Sequence, residues 1–270
     1  MGWIAQALDK VRVRRPLVHN ITNYVVMNTT ANALLALGAS PIMAHSPEEL
    51  EDLIKVADAV VVNIGTLDDR WIYSMVKAVS LAKQYGKPLV LDPVGAGATK
   101  LRTSTAFTLL SVGGVKIVRG NFGEVSALLG VEGRTKGVEA STYDVKTAAE
   151  LALETSKKFK VVTAVSGPTD FVSDGTEVYE VRLRNKSERL EGVIGRVTGL
   201  GCIVTALIGA FAAVEDPLKA AVAGFATFKA VALKSSEEAA YPGTFHVKLY
   251  DWLYRVDEEV INEVVEVRSF

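Results

Sequence analysis

Three short stretches of this chain carry residue types that can do chemistry together. In Thr198-Gly-Leu-Gly-Cys202, two glycines and the chain's only cysteine precede a long apolar run. Glycines at a helix start let the backbone come close to a bound group, and the first helical turn leaves N–H groups without intrahelical partners. Those groups and the helix dipole favour an anion. A thiol in that turn is expected to have a lowered pKa and to exist partly as thiolate, which makes Cys202 a base or a nucleophile. The bland alternative is a tight turn into a core helix, with Cys202 a small buried hydrophobe.

The second stretch is Pro88-Leu-Val-Leu-Asp92 with its glycine-containing sequel. A carboxylate that ends an apolar run must be hydrogen-bonded, paired or metal-associated. The third is Arg119-Gly-Asn-Phe-Gly-Glu124. Arg119 offers a planar fork to phosphate oxygens, or else forms a surface salt bridge. Glu124 stands three residues after Asn121. It reads as half of a capping box or as a carboxylate that holds Mg²⁺ directly or through water. Met43 is either core or the lining of an apolar pocket. His19, His45 and His246 form no spaced metal motif and are read as structural. A nucleotide-binding P-loop is absent, and no G-x-G-x-x-G follows an early strand.

These residues need elements to hold them. Apolar runs predict strands near residues 16–19, 39–43, 58–64, 88–92, 115–118 and 161–165. Helices are expected over 24–37, from Ser46-Pro-Glu-Glu49 onward, and over 67–85, 102–111, 121–129 and 141–159. Three more are expected near 202–214, 217–239 and 245–264. Thr22 or Asn23 would cap the first, and Ser46 the second. A polar connection spans 130–137, and a short β-branched run leads into Thr198. Asp174-Gly175 predicts a two-residue hairpin turn within 169–183. Alternating strands and helices predict an α/β fold: a mostly parallel sheet with helices on both faces and a hairpin at one edge. Without a linker or compositional break, residues 1–270 are expected to form one domain. In such sheets ligands bind beyond the carboxyl ends of the strands. Asn20, Asn23, Met43, Asn63, Asp92, Arg119 and Ser166 all fall there, and their convergence is the strongest functional signal.

The charge balance of −1 gives no support for nucleic-acid binding. A single cysteine excludes an intrachain disulfide and a cysteine-built zinc site. The N-terminus lacks the pattern of a signal peptide, and the longest apolar segment is short for a bilayer, so a cytoplasmic protein is expected.

Together, Pro16-Leu-Val-His-Asn-Ile-Thr-Asn-Tyr-Val-Val-Met-Asn28, Ser40-Pro-Ile-Met-Ala-His-Ser-Pro-Glu-Glu49, Asp92-Pro-Val-Gly-Ala-Gly-Ala98, Arg119-Gly-Asn-Phe-Gly-Glu124 and Thr198-Gly-Leu-Gly-Cys202 resemble the hydroxyethylthiazole kinases. The first two motifs are specific to that family; the others are shared with the wider ribokinase-like superfamily. The resemblance implies a ribokinase-like three-layer sandwich and a homotrimer with active sites at subunit interfaces. It implies transfer of the ATP γ-phosphoryl group to the hydroxyl of 4-methyl-5-(2-hydroxyethyl)thiazole in thiamine salvage. By motif, Met43, Asn23 and Gly199 would meet the thiazole, and Arg119 the ATP phosphates. Ser166 stands where the family usually has Thr beside the nucleotide. Asp92 and Glu124 would organise Mg²⁺. Cys202 takes the place where most ribokinase-like enzymes have an aspartate base. Competing expectations are another ribokinase-like kinase, an ATP- or ADP-dependent dehydratase of hydrated nicotinamide nucleotides, and an inactive thiazole- or nucleotide-binding sensor.

Overall fold

The structure is a computed structural model and describes residues 2–130 and 144–270. Its strands are β1 (Leu17–Ile21), β2 (Ser40–Met43), β3 (Ala59–Asn63), β4 (Leu89–Asp92), β5 (Ile117–Asn121), β6 (Val162–Ser166), β7 (Asp170–Ser173), β8 (Val178–Leu183) and β9 (Val265–Ser269). Among the described residues they form one sheet in the order β2-β1-β3-β4-β5-β6-β7-β8-β9. The first six run parallel. The last three pair antiparallel.

Side chains alternate across a strand, so each strand serves two layers. Val18, Val61, Val90, Ile117, Val162 and Ala164 face one side. There they pack against α1 (Gly2–Arg14), α2 (Met27–Leu37), α9 (Leu200–Ala212), α10 (Pro217–Glu238), α11 (Pro242–Arg255) and α12 (Glu258–Val264). Their neighbours Val60, Val62, Leu89, Leu91 and Val118 face the other side. They meet α3 (Leu50–Val56), α4 (Asp69–Gln84) and α5 (Lys100–Val112). Val165 and Phe171 pack with α6 (Phe122–Leu129) and α7 (Val145–Phe159). A three-layer α/β sandwich results. The expected helix start at 141 and most of the expected connection 130–137 lie outside the described residues.

Five local expectations are corrected, the first being the helix expected over 245–264, which is two helices, α11 and α12, parted at Val256 and Asp257. Ser46 to Glu49 form a turn, in which the Ser46 hydroxyl donates to Glu48, and α3 begins only at Leu50. Helix α2 begins at Met27 with Val26 at its cap position; Asn23 instead accepts from the N–H of Val25, 3.0 Å away. The hairpin connection is four residues long, because Asp174 Oδ1 accepts from the N–H groups of Thr176 (2.8 Å) and Glu177 (2.9 Å). The β-branched residues before Thr198 are the end of a helix, α8 (Glu188–Ile194), followed by a bend. Three unforeseen elements appear: α1, α8 and the strand β9.

The alternation rule also sets up the site. Asn63, Asp92, Arg119 and Ser166 are the C-terminal continuations of the rows facing α9. All four therefore point toward the layer that presents the first turn of α9.

Candidate active site

Helix α9 is buried along almost its whole length, from Ile203 to Ala212. Its N-cap is Gly199, held at φ +82, and no side chain caps the helix. A Cβ at Gly199 would stand 2.7 Å from Val26 Cγ1, so both the left-handed backbone and the space require glycine. Two residues later, a Cβ at Gly201 would stand 2.7 Å from Nη1 of Arg119. The guanidinium thus lies against the bare first turn of the helix.

Asp92 is fully buried at the end of β4. Its Oδ2 accepts from Thr205 Oγ1 at 2.7 Å and from Asn63 Nδ2 at 2.9 Å. Arg119 Nη1 stands 3.9 Å away. Burial pushes the Asp92 carboxyl up to about 7, Arg119 opposes that shift, and Glu124 adds to it. Arg119 also donates to Ser166 Oγ at 2.6 Å.

Glu124 forms the capping box: Asn121 Oδ1 accepts from the Glu124 N–H at 2.9 Å, and Glu124 Oε2 from the Asn121 N–H at 2.8 Å. Its other oxygen accepts from the N–H of Gly95, 2.9 Å away, which ties the loop after β4 to α6. Capping and site are one arrangement here.

A divalent cation is tested by these donors. The described residues hold no group of three or more His, Cys, Asp or Glu side chains suited to a metal. However, Asp92 Oδ1 is buried without a hydrogen-bond partner. Asp92 and Glu124 border one cavity. Two carboxylates fit an ion that keeps several waters and takes phosphate oxygens, as Mg²⁺ does.

The thiol departs from its expected chemistry. Burial, with the Asp92 charge second, pushes Cys202 up to about 12, so it carries its proton at neutral pH. Its sulfur accepts from Asn63 Nδ2 at 3.1 Å and lies 3.8 Å from Asn23 Nδ2. Asn23 also donates to Asn63 Oδ1 at 2.8 Å.

Two cavities meet at this point. The smaller, about 320 Å³, is bordered by Asn23, Asp92, Glu124, Gly199 and Cys202. The larger, about 740 Å³, opens along Ser166, Leu200, Phe228 and Lys229. Arg119 and Gly201 border both. Met43 borders neither; it is partly buried on the edge strand β2 and packs on the core. His19 is buried on the opposite sheet face and meets the Ala44 carbonyl at 2.8 Å, and His45 stacks on Trp71 at 4.0 Å. Sequence reasoning gave no role to Asn63, Thr205 or Arg102. The last donates to the carbonyls of Gly65 (2.8 Å) and Val94 (3.1 Å) and joins two rim loops. The one signal for Asn63 was its place at a strand's carboxyl end.

A ribokinase-like superfamily protein from Enterococcus faecalis superposes with a TM-score of 0.60 at 12% identity, covering 90% of this chain and 87% of that one. At that identity the likeness defines the fold class alone, a ribokinase-like three-layer α/β sandwich. Residues 8–259 match the hydroxyethylthiazole kinase family model. The hydroxyethylthiazole kinase of Pyrococcus furiosus is 61% identical over 264 residues, covering 98% of this chain and 97% of that one. The solved structure of the Pyrococcus horikoshii hydroxyethylthiazole kinase protein superposes with a TM-score of 0.90 at 55% identity, with full coverage of both chains. The chain belongs to the hydroxyethylthiazole kinase family.

Proposed function

We propose that the whole chain acts as one kinase domain that transfers the γ-phosphoryl group of ATP to the hydroxyl of 4-methyl-5-(2-hydroxyethyl)thiazole, within thiamine salvage. The observation that carries this reading is the junction of the two cavities at Arg119 and the first turn of α9. The larger cavity takes the nucleotide and the smaller the alcohol, so the migrating group sits between them.

Phosphoryl transfer needs positioning and charge neutralisation more than covalent chemistry. The N–H groups at Gly199 to Cys202 hold the phosphoryl oxygens where charge develops. Arg119, steadied by Ser166, binds the ATP phosphates. Asp92 and Glu124 would hold Mg²⁺, which neutralises phosphate charge when bound. Asn23 and Gly199 border the space for the thiazole. Cys202, with its proton in place, orients the attacking hydroxyl. In a loose transition state the alcohol loses its proton late, so that proton can pass to an oxygen of the transferred phosphoryl group and needs no strong base on the protein.

A homotrimer accommodates Met43. Val25 borders the small cavity yet is 61% exposed, and Tyr24 beside it is 64% exposed. A second copy would cover this open wall and bring the Met43 of edge strand β2 to the thiazole. Among the described residues no helix is long and apolar enough to cross a membrane. We place the enzyme in the cytoplasm. Incubation with Mg-ATP and the thiazole alcohol should yield its phosphate by mass spectrometry. ATP turnover that releases only inorganic phosphate would contradict the assignment.

A further inference from the structure

Asn63 ends β3 directly beside Asp92, its register partner on β4. Its side chain is buried, and an amide offers two donors and two acceptor sites. All four are engaged. Nδ2 donates to Asp92 Oδ2 at 2.9 Å and to Cys202 Sγ at 3.1 Å. Oδ1 accepts from Asn23 Nδ2 at 2.8 Å and from the N–H of Gly65 at 3.0 Å. Turning the amide over would face oxygen to carboxylate and NH₂ to two other donors. The orientation is therefore determined by its surroundings, and buried polar groups are costly to leave unpaired.

That orientation has a chemical result. With Asn63 and Thr205 on Oδ2, Asp92 is left with Oδ1 as its unpartnered oxygen. The same NH₂ group holds the Cys202 sulfur, which borders the smaller cavity. Asn63 itself does not border that cavity. We propose that Asn63 is a positioning residue for phosphoryl transfer: its one amide locks the Asp92 carboxylate and the Cys202 thiol in register with each other. The proposal rests on the kinase reading above.

The test is steady-state kinetics of Asn63→Asp, Asn63→Ala and Asn63→Ser with Mg-ATP and the thiazole alcohol. Asn63→Asp preserves shape but removes both N–H donors. In Asn63→Asp and Asn63→Ala, kcat should fall about 10- to 100-fold, the usual effect of removing a group that orients an active-site ligand. Both KM values should stay within about twofold, because binding is not what the amide controls. Asn63→Ser, which keeps one donor, should recover part of kcat. In a Cys202→Ala background the Asn63→Ala loss should shrink, since the two residues act through one contact. Unchanged kcat in folded variants would overturn the proposal. So would losses that multiply independently of Cys202, a loss confined to KM, or a failure of all three variants to fold. Absence of thiazole phosphate from the wild-type reaction would instead overturn the kinase reading.

Discussion

Cys202 illustrates two effects in competition. A helix N-terminus favours a charged thiolate by about 0.3–1 kcal/mol at exposed sites. Burial penalises it by several times more, and the neighbouring Asp92 carboxylate adds to that penalty. The thiol therefore stays protonated. Cys202→Ala should lower turnover by up to about 100-fold, the cost of letting a reacting group drift by about 1 Å. Cys202→Asp should keep or raise it, because a carboxylate accepts the hydroxyl proton more readily. Initial rates at saturating substrates decide both, and an unchanged Ala variant would remove Cys202 from the chemistry. At Gly201 an added methyl group would meet Arg119 Nη1 at 2.7 Å. Gly201→Ala should thus displace the guanidinium and lower kcat/KM for ATP by about 10- to 100-fold. Equal kinetics would show that Arg119 yields without loss. Asp92, Arg119, Glu124 and Cys202 were legible because a charge or a thiol stands out beside an apolar run, whereas charged Arg102 lies inside a helix and was missed. Thr205 was not, and Asn63 was legible only as a rim residue without a role, since a buried amide and hydroxyl look structural until the fold sets them against Asp92.

The inner parallel strands were legible because each carries an apolar run, as burial on both faces requires. Strand β9 was not. Val265-Glu-Val-Arg-Ser269 follows α12 without a break and is short enough for either periodicity. Its state is decided by antiparallel pairing with β8, far away in the chain. Capping signals failed where a side chain preferred a turn, as at Ser46. The loop after β6, which follows Ser166, is held by a contact no local pattern announces. Lys229 on α10 pairs with buried Asp170 at 3.1 Å and donates to the Pro168 carbonyl at 3.1 Å, while Asp170 accepts from the Gly167 N–H at 2.9 Å. Lys229→Met leaves that carboxylate without its cation and should cost about 3–5 kcal/mol. Burial already holds Asp170 above the usual carboxylate range, and Lys229 pulls it down. Without Lys229 its pKa rises further, so the folded variant binds a proton that the unfolded chain has released. The deficit should therefore shrink as pH falls and be largest at neutral pH. Thermal unfolding across pH reads this; a deficit that grows toward acid would contradict it.

At the scale of the molecule, the three layers follow from the alternation of residues on a few strands, which is why the fold class was readable in the chain. Assembly was not, because an exposed Val25 has the same side chain as a buried one. Light scattering should give a mass near three times 28.9 kDa. Val25→Glu, on the open cavity wall, should lower both that mass and the turnover. A fully active monomer would remove the shared-site proposal. The guanidinium of Arg119 borders both cavities. If, as proposed, the nucleotide fills one cavity and the alcohol the other, the two binding events share one charge and are coupled through it. If the nucleotide draws Arg119 toward its phosphates, the affinity of the alcohol changes by some factor, and linkage requires the alcohol to change nucleotide affinity by the same factor. Calorimetric titrations in either order, with a nonhydrolysable nucleotide, should return one coupling constant.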